Sequence, residues 1–150
     1  MIRLGRFCAE GDAEGPALVL CEPLSFWGGI EGATGKIIDR SHPGLGKCIA
    51  RQILVMPSGR GSSSSASVLA EAIRRGAAPL GIILARPDPI LTVGSIVARS
   101  LYDLRCPIVV CSIEGMATGD RIGLSMLVTG AARIEILSRA ERFPAGSIFS

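Results

Sequence analysis

An α/β domain built on a largely buried sheet is the fold this sequence predicts, and three observations lead to it. Apolar runs of strand length recur along the chain, and two segments of helical periodicity stand between them. The 150 residues are 48% hydrophobic and only 19% charged, too apolar for a disordered chain and enough for one packed core.

The elements follow in order. Ala17–Cys21 reads as the first buried strand. Residues 22–46 differ: Pro23, Gly28, Gly29, Gly32, Gly35, Pro43, Gly44 and Gly46 punctuate a long loop region with short strands at most. Loops of that length in a compact domain are usually functional or line an interface. Ile53–Met56 is a second continuous strand. In Ser64–Arg75, Val68, Leu69, Ala72 and Ile73 share one helical face, and Gly76 stands where a C-terminal stop belongs. Leu80–Leu84 is a third strand. Thr92–Asp103 carries Val93, Ile96, Val97 and Leu101 at helical spacing and closes before Pro107. Ile108–Cys111 is a fourth strand, and near Arg133–Leu137 Ile134 and Ile136 alternate with charged neighbours as in a fifth. No repeat or linker divides residues 1–150, so one domain is expected, with residues 143–150 a loosely held tail.

Composition also removes function classes. The longest apolar runs fall far below the roughly 20 residues of a spanning helix, and Glu10, Asp12 and Glu14 interrupt any leader-like stretch. No membrane role and a cytoplasmic location are expected. A net charge of +3 is spread out, with Arg74-Arg75 the single adjacent basic pair and six aromatics in all, which argues against nucleic-acid binding. A small anionic substrate suits that charge better. Cys8, Cys21, Cys48, Cys106 and Cys111 are odd in number and scattered without metal-ligand spacing, so this chain is expected to bind no metal by itself. A mean hydropathy of +0.45 is high for a monomer and fits either a buried sheet or a face covered by another chain.

The stretch Met56-Pro57-Ser58-Gly59-Arg60-Gly61-Ser62-Ser63-Ser64-Ser65 carries the chemistry. It joins a strand to an amphipathic helix, so a flexible linker is the poorer reading. Gly59 and Gly61 permit close approach or positive φ, the serines stand where a helix begins, and Arg60 adds charge. A carboxylate or phosphate should sit against residues 60–64. Neither a Walker A loop nor a dinucleotide fingerprint is present. A serine here could serve as base or nucleophile if the helix start and Arg60 stabilise its alkoxide. His42-Pro43-Gly44 reads as a turn rather than as part of a Ser–His relay. The set is incomplete, which points to groups supplied by another chain.

Five strings together resemble the aconitase X small-subunit family: Glu22–Gly29 (Glu-Pro-Leu-Ser-Phe-Trp-Gly-Gly), Thr34–Pro43, Pro57–Ser64, Leu69–Ala72 and Ala85–Ile90. They run in order over residues 11–111. The resemblance implies a swivelling β/β/α domain like the mobile domain of aconitase, and a hydro-lyase that works only with a large partner subunit, as a heterodimer. That partner would hold an iron–sulfur cluster acting as Lewis acid on the leaving hydroxyl. Carried over, Gly61-Ser62-Ser63 matches the family's serine loop, with Ser62 the base and Arg60, Gly61, Ser63 and Ser64 around the substrate carboxylate. Aconitase has an arginine directly after its serine pair; Ser64 occupies that place here, and Arg60 is the substitute. Bacterial members of the family dehydrate cis-3-hydroxy-L-proline to Δ1-pyrroline-2-carboxylate and archaeal ones dehydrate mevalonate 5-phosphate. The Ser-Gly-Arg-Gly-Ser-Ser-Ser form resembles the bacterial type more. A stand-alone anion-binding module and a purely structural partner chain stay open as other classes, as does an excised domain of a fused enzyme.

Overall fold

A computed structural model describes residues 1–141; the tail expected at 143–150 lies outside them. Seven strands, β1 (Ile2–Ala9), β2 (Ala13–Val19), β3 (Ile53–Met56), β4 (Gly81–Leu84), β5 (Ile108–Val110), β6 (Arg121–Val128) and β7 (Ala131–Ser138), close into a barrel in the order β1-β5-β4-β3-β2-β6-β7. β2, β3, β4 and β5 run parallel to one another, and the other pairings are antiparallel. Three helical pieces accompany them: a kinked four-residue turn α1 (Phe26–Gly29), then α2 (Ser65–Arg74) and α3 (Pro89–Tyr102).

Period-two alternation splits the apolar residues between two cores. Ile53, Val55, Ile83 and Val109 point with Ile122, Leu124, Ile134 and Ile136 into the barrel. Leu54, Met56, Ile82, Leu84 and Ile108 face outward and pack under Leu69, Ala72, Ile73, Leu91 and Ala98 of the helices. All residues of β3 and β4 are therefore buried, as continuous apolar strands require. The helices cross closely at Gly94, where a Cβ would stand 2.6 Å from the Ala66 carbonyl oxygen.

The boundaries moved for local reasons. The strand expected at 17–21 spans 13–19 because its first half pairs with β6 and its second half with β3. α3 begins at Pro89 rather than Thr92: Asp88 accepts hydrogen bonds from Ile90 N–H (2.9 Å) and Leu91 N–H (3.2 Å), and proline suits the first helical position. β1 and β6 had no counterpart in the sequence reading. The 22–46 region is a long loop as expected, held by single bridges Ile30–Ile37 and Lys36–Cys48. Ile37 and Ile49 are fully buried beneath it, each contributing about 1.5–3 kcal/mol of burial.

Candidate functional site

Parallel neighbours bring their C-terminal ends together, and β3 and β4 do so here. The two loops that follow are tied where Pro57 carbonyl oxygen accepts from Ala85 N–H (3.1 Å) and Arg86 N–H (3.0 Å). A third segment joins through the Leu24–Gly59 bridge. Between them lies a cavity of about 530 Å³ lined by Ser58, Arg60, Gly61, Ser62, Ser65, Arg86 and Asp88 on its polar side and by Leu24, Phe26 and Leu91 on its apolar side.

Two glycines shape the serine loop. A Cβ on Gly59 would collide with the Asp88 carboxylate, so only glycine lets the loop lie against the α3 cap. Gly61 has φ +103, outside the range of L side chains, and faces Ser25 Oγ. Ser62 follows, half-buried, and its Oγ accepts from Ser64 N–H at 3.1 Å. Ser62 thus performs the capping expected of the serines in general, because Ser64, at the cap position, has helical φ and ψ and no side-chain cap bond. Ser65 N–H bonds Ser62 carbonyl oxygen (3.0 Å) and Ala66 N–H bonds Ser63 carbonyl oxygen (3.2 Å). These donors are engaged in a tight turn, so the anion-attracting groups at hand are chiefly the guanidinium groups of Arg60 and Arg86.

Of the residues singled out in the sequence, Arg60, Gly61 and Ser62 line the cavity, whereas Ser63 and Ser64 stand outside its lining. Ser65 lies deeper, 4% exposed, and accepts from Trp27 N–H at 3.1 Å. The sequence reading missed Arg86, whose Nη2 donates to Ser58 Oγ at 3.2 Å. The available signal was its place in the Ala85–Ile90 string, two residues past the end of β4. Arg60 reaches Asp39 on the long loop, 3.6 Å from Nη2 to Oδ2. Asp39 is held below the usual carboxylate range, chiefly by the Ser41 hydroxyl and then by the Ser41 amide, with Arg60 adding attraction.

His42 sits in a turn, as expected. Its Nδ1 accepts from Gly44 N–H at 2.8 Å, which leaves Nε2 to donate to Glu22 carbonyl oxygen at 3.2 Å. Both ring nitrogens are committed and no Ser–His relay forms. Burial pushes the Cys106 thiol up to about 12 and raises Cys111 as well, whereas Cys21 and Cys48 are exposed. Among the described residues no three His, Cys, Asp or Glu side chains gather as a metal site, and no helix is long and apolar enough to cross a membrane. Apolar residues stay exposed beside the cavity at Trp27 and along one face of α3, at Val93, Ile96, Val97 and Leu101.

Comparison with known proteins agrees with this fold. A family model described as "Aconitase X swivel domain" matches residues 3–135. Cis-3-hydroxy-L-proline dehydratase of Pseudomonas aeruginosa is 43% identical over 103 residues, 69% of this chain but 18% of that protein. The chain likewise spans 18% of the Hypocrea jecorina enzyme of the same name. The phosphomevalonate dehydratase small subunit of Methanopyrus kandleri is 36% identical over 121 residues, 77% of this chain and 84% of that one. A crystal structure of Thermococcus kodakaraensis aconitase X superposes with a TM-score of 0.79 at 29% identity, covering 90% of this chain and 98% of that chain.

Proposed function

Because the chain belongs to the aconitase X swivel-domain family, we propose that it supplies the serine half of a dehydratase site completed by a larger partner chain. The observation that carries this reading is that Ser62, three residues before α2, lines one cavity with Arg60 and Arg86. Two similar archaeal proteins carry the name phosphomevalonate dehydratase small subunit, which supports a site shared with a second chain.

The chemistry of this chain is then proton abstraction beside a carboxylate. Arg60 holds the substrate carboxylate, and the apolar wall of Leu24, Phe26 and Leu91 excludes water from the carbon skeleton. Ser62 Oγ takes the proton from the carbon next to the carboxylate. Its alkoxide is stabilised by the Ser64 N–H at 3.1 Å, the α2 dipole and the nearby arginine charge. An iron–sulfur cluster, held by the partner, would supply Lewis acidity toward the departing hydroxyl. We place the protein in the cytoplasm, where its five free thiols would stay reduced.

We take cis-3-hydroxy-L-proline as the substrate, dehydrated to Δ1-pyrroline-2-carboxylate, in line with the form of the serine loop and the 43% identity to the Pseudomonas aeruginosa protein. A second reading, mevalonate 5-phosphate, draws on Arg86: a second guanidinium in the cavity wall suits a substrate with a second anionic group. The test is anaerobic co-expression with the large chain and assay of both compounds. Ser62→Ala is expected to lower turnover by about 10²–10⁴-fold with complex and cluster intact. Normal turnover in that variant would remove Ser62 from the base role, and a cluster-loaded complex inert toward both compounds would overturn the dehydratase reading.

A further inference from the structure

Arg60 lines the serine cavity, yet its ionic partner Asp39 lies outside the cavity lining, on the loop between α1 and β3. Asp39 is itself fixed. Its Oδ1 accepts from Ser41 N–H (2.9 Å) and Ser41 Oγ–H (2.7 Å), and its carbonyl oxygen accepts from His42 N–H (3.1 Å). That turn is anchored in turn by the 6% exposed His42 ring, bonded to Gly44 and Glu22. The carboxylate therefore presents Oδ2 to Arg60 from a rigid support, 19% exposed against 59% for the arginine side chain.

We infer that Asp39 is a positioning residue for substrate recognition: it holds the Arg60 guanidinium at the edge of the cavity so that its other donors face the anionic group of the substrate. This rests on the dehydratase reading. A guanidinium carries five N–H donors, so one contact at 3.6 Å to Asp39 leaves enough for a bidentate grip on a second carboxylate. An arginine that is not held loses its rotamer freedom only when substrate binds, which weakens affinity. The arginine end of the pair is solvent-exposed and the contact is long, so its worth to folding is small. Its effect belongs to binding.

The test uses the full two-chain complex and whichever substrate the wild type turns over. Variants are Asp39→Asn, Asp39→Glu, Arg60→Ala and the double variant Asp39→Asn with Arg60→Ala. Asp39→Asn is expected to raise KM roughly 2- to 12-fold, the range for one newly mobile side chain, with kcat and thermal midpoint close to wild type. Asp39→Glu should recover part of the loss, and Asp39→Asn should add nothing once Arg60 is alanine. An unchanged or lower KM in Asp39→Asn, or the same rise on the Arg60→Ala background, overturns the proposal. If the wild-type complex turns over neither compound, the dehydratase reading fails by itself. The Asp39 coupling is then decided on the full chain by ¹H–¹⁵N spectra with inorganic phosphate as probe. A smaller phosphate shift of the Arg60 Nε–H signal in Asp39→Asn than in wild type supports it, and an equal shift overturns it.

Discussion

Replacing Gly61 by alanine tests whether the serine loop is held in one conformation for the sake of Ser62. At φ +103 an L side chain is strained, at a cost on the order of 1–3 kcal/mol. The new Cβ would also collide with Ser25 Oγ, whose hydrogen bond to Trp27 carbonyl oxygen is 3.0 Å long; breaking it adds about 0.5–1.5 kcal/mol. The sum is about 2–4 kcal/mol if the loop stays in place, and less if it shifts. For a chain of this size each kcal/mol lowers Tm by roughly 2–4 °C, so scanning calorimetry should show a fall of about 4–16 °C. A displacement near 1 Å at Ser62 should in addition cut turnover of the complex by about 10²-fold. Gly46→Ala is the control. Gly46 also has positive φ (+89) but nothing lies within 4 Å of its Cβ position, and it does not line the cavity. It should lose stability and keep turnover. Wild-type melting and turnover in Gly61→Ala, or equal activity losses in the two variants, would refute the reasoning.

The α3 cap and the buried thiols give two further tests. Asp88→Ala removes the acceptor of two N–H bonds and should cost about 1 kcal/mol, with range 0.5–2, in chemical denaturation; it should also loosen the wall against Gly59, read as a raised KM. Cys106 and Cys111 resist ionisation in the folded state, so above the unfolded thiol pKa the unfolded chain carries fewer protons than the folded one. Stability should therefore fall as pH rises beyond about 8.5–9, by up to roughly 1.4 kcal/mol per unit for each such thiol. Urea melts across pH 8–11 should show that decline, and Cys106→Ala should flatten it.

What the sequence made legible was local. Ile53–Met56 and Ser64–Arg75 are continuous or cleanly periodic, their burial follows from residue type, and the glycine-serine loop between them stood out for that reason. β1 was missed because Ile2 and Leu4 point outward, where they are 50% and 72% exposed, and its inward positions include Arg3 and Gly5. β6 was missed for a similar reason: beyond Leu124 its apolar residues Met126, Leu127 and Val128 are all exposed. Barrel closure depends on pairings such as Ile2 with Glu135, which no short window contains. At the site, Arg60, Gly61 and Ser62 lie on one contiguous loop and were found together. Arg86, Asp88 and Ser65 enter the cavity only through the parallel register of β3 and β4 and the start of α2. The roles of Ser63 and Ser64 turned on cap geometry at single-residue precision, which composition does not encode.

The seam of the barrel sets an order of assembly. Residues 53–110, from β3 through α2, β4 and α3 to β5, join neighbours close in sequence, so the segment bearing the serine loop can condense early. β1 is made first yet finds its β7 partner only when residues 131–135 have left the ribosome, and until then one edge of it stays open. Exposed strand edges are where chains pair with the wrong neighbour. A ribosome stalled before residue 131 would thus release a molecule with its serine loop already shaped and its barrel unsealed, a species for chaperones and proteases to recognise by that edge.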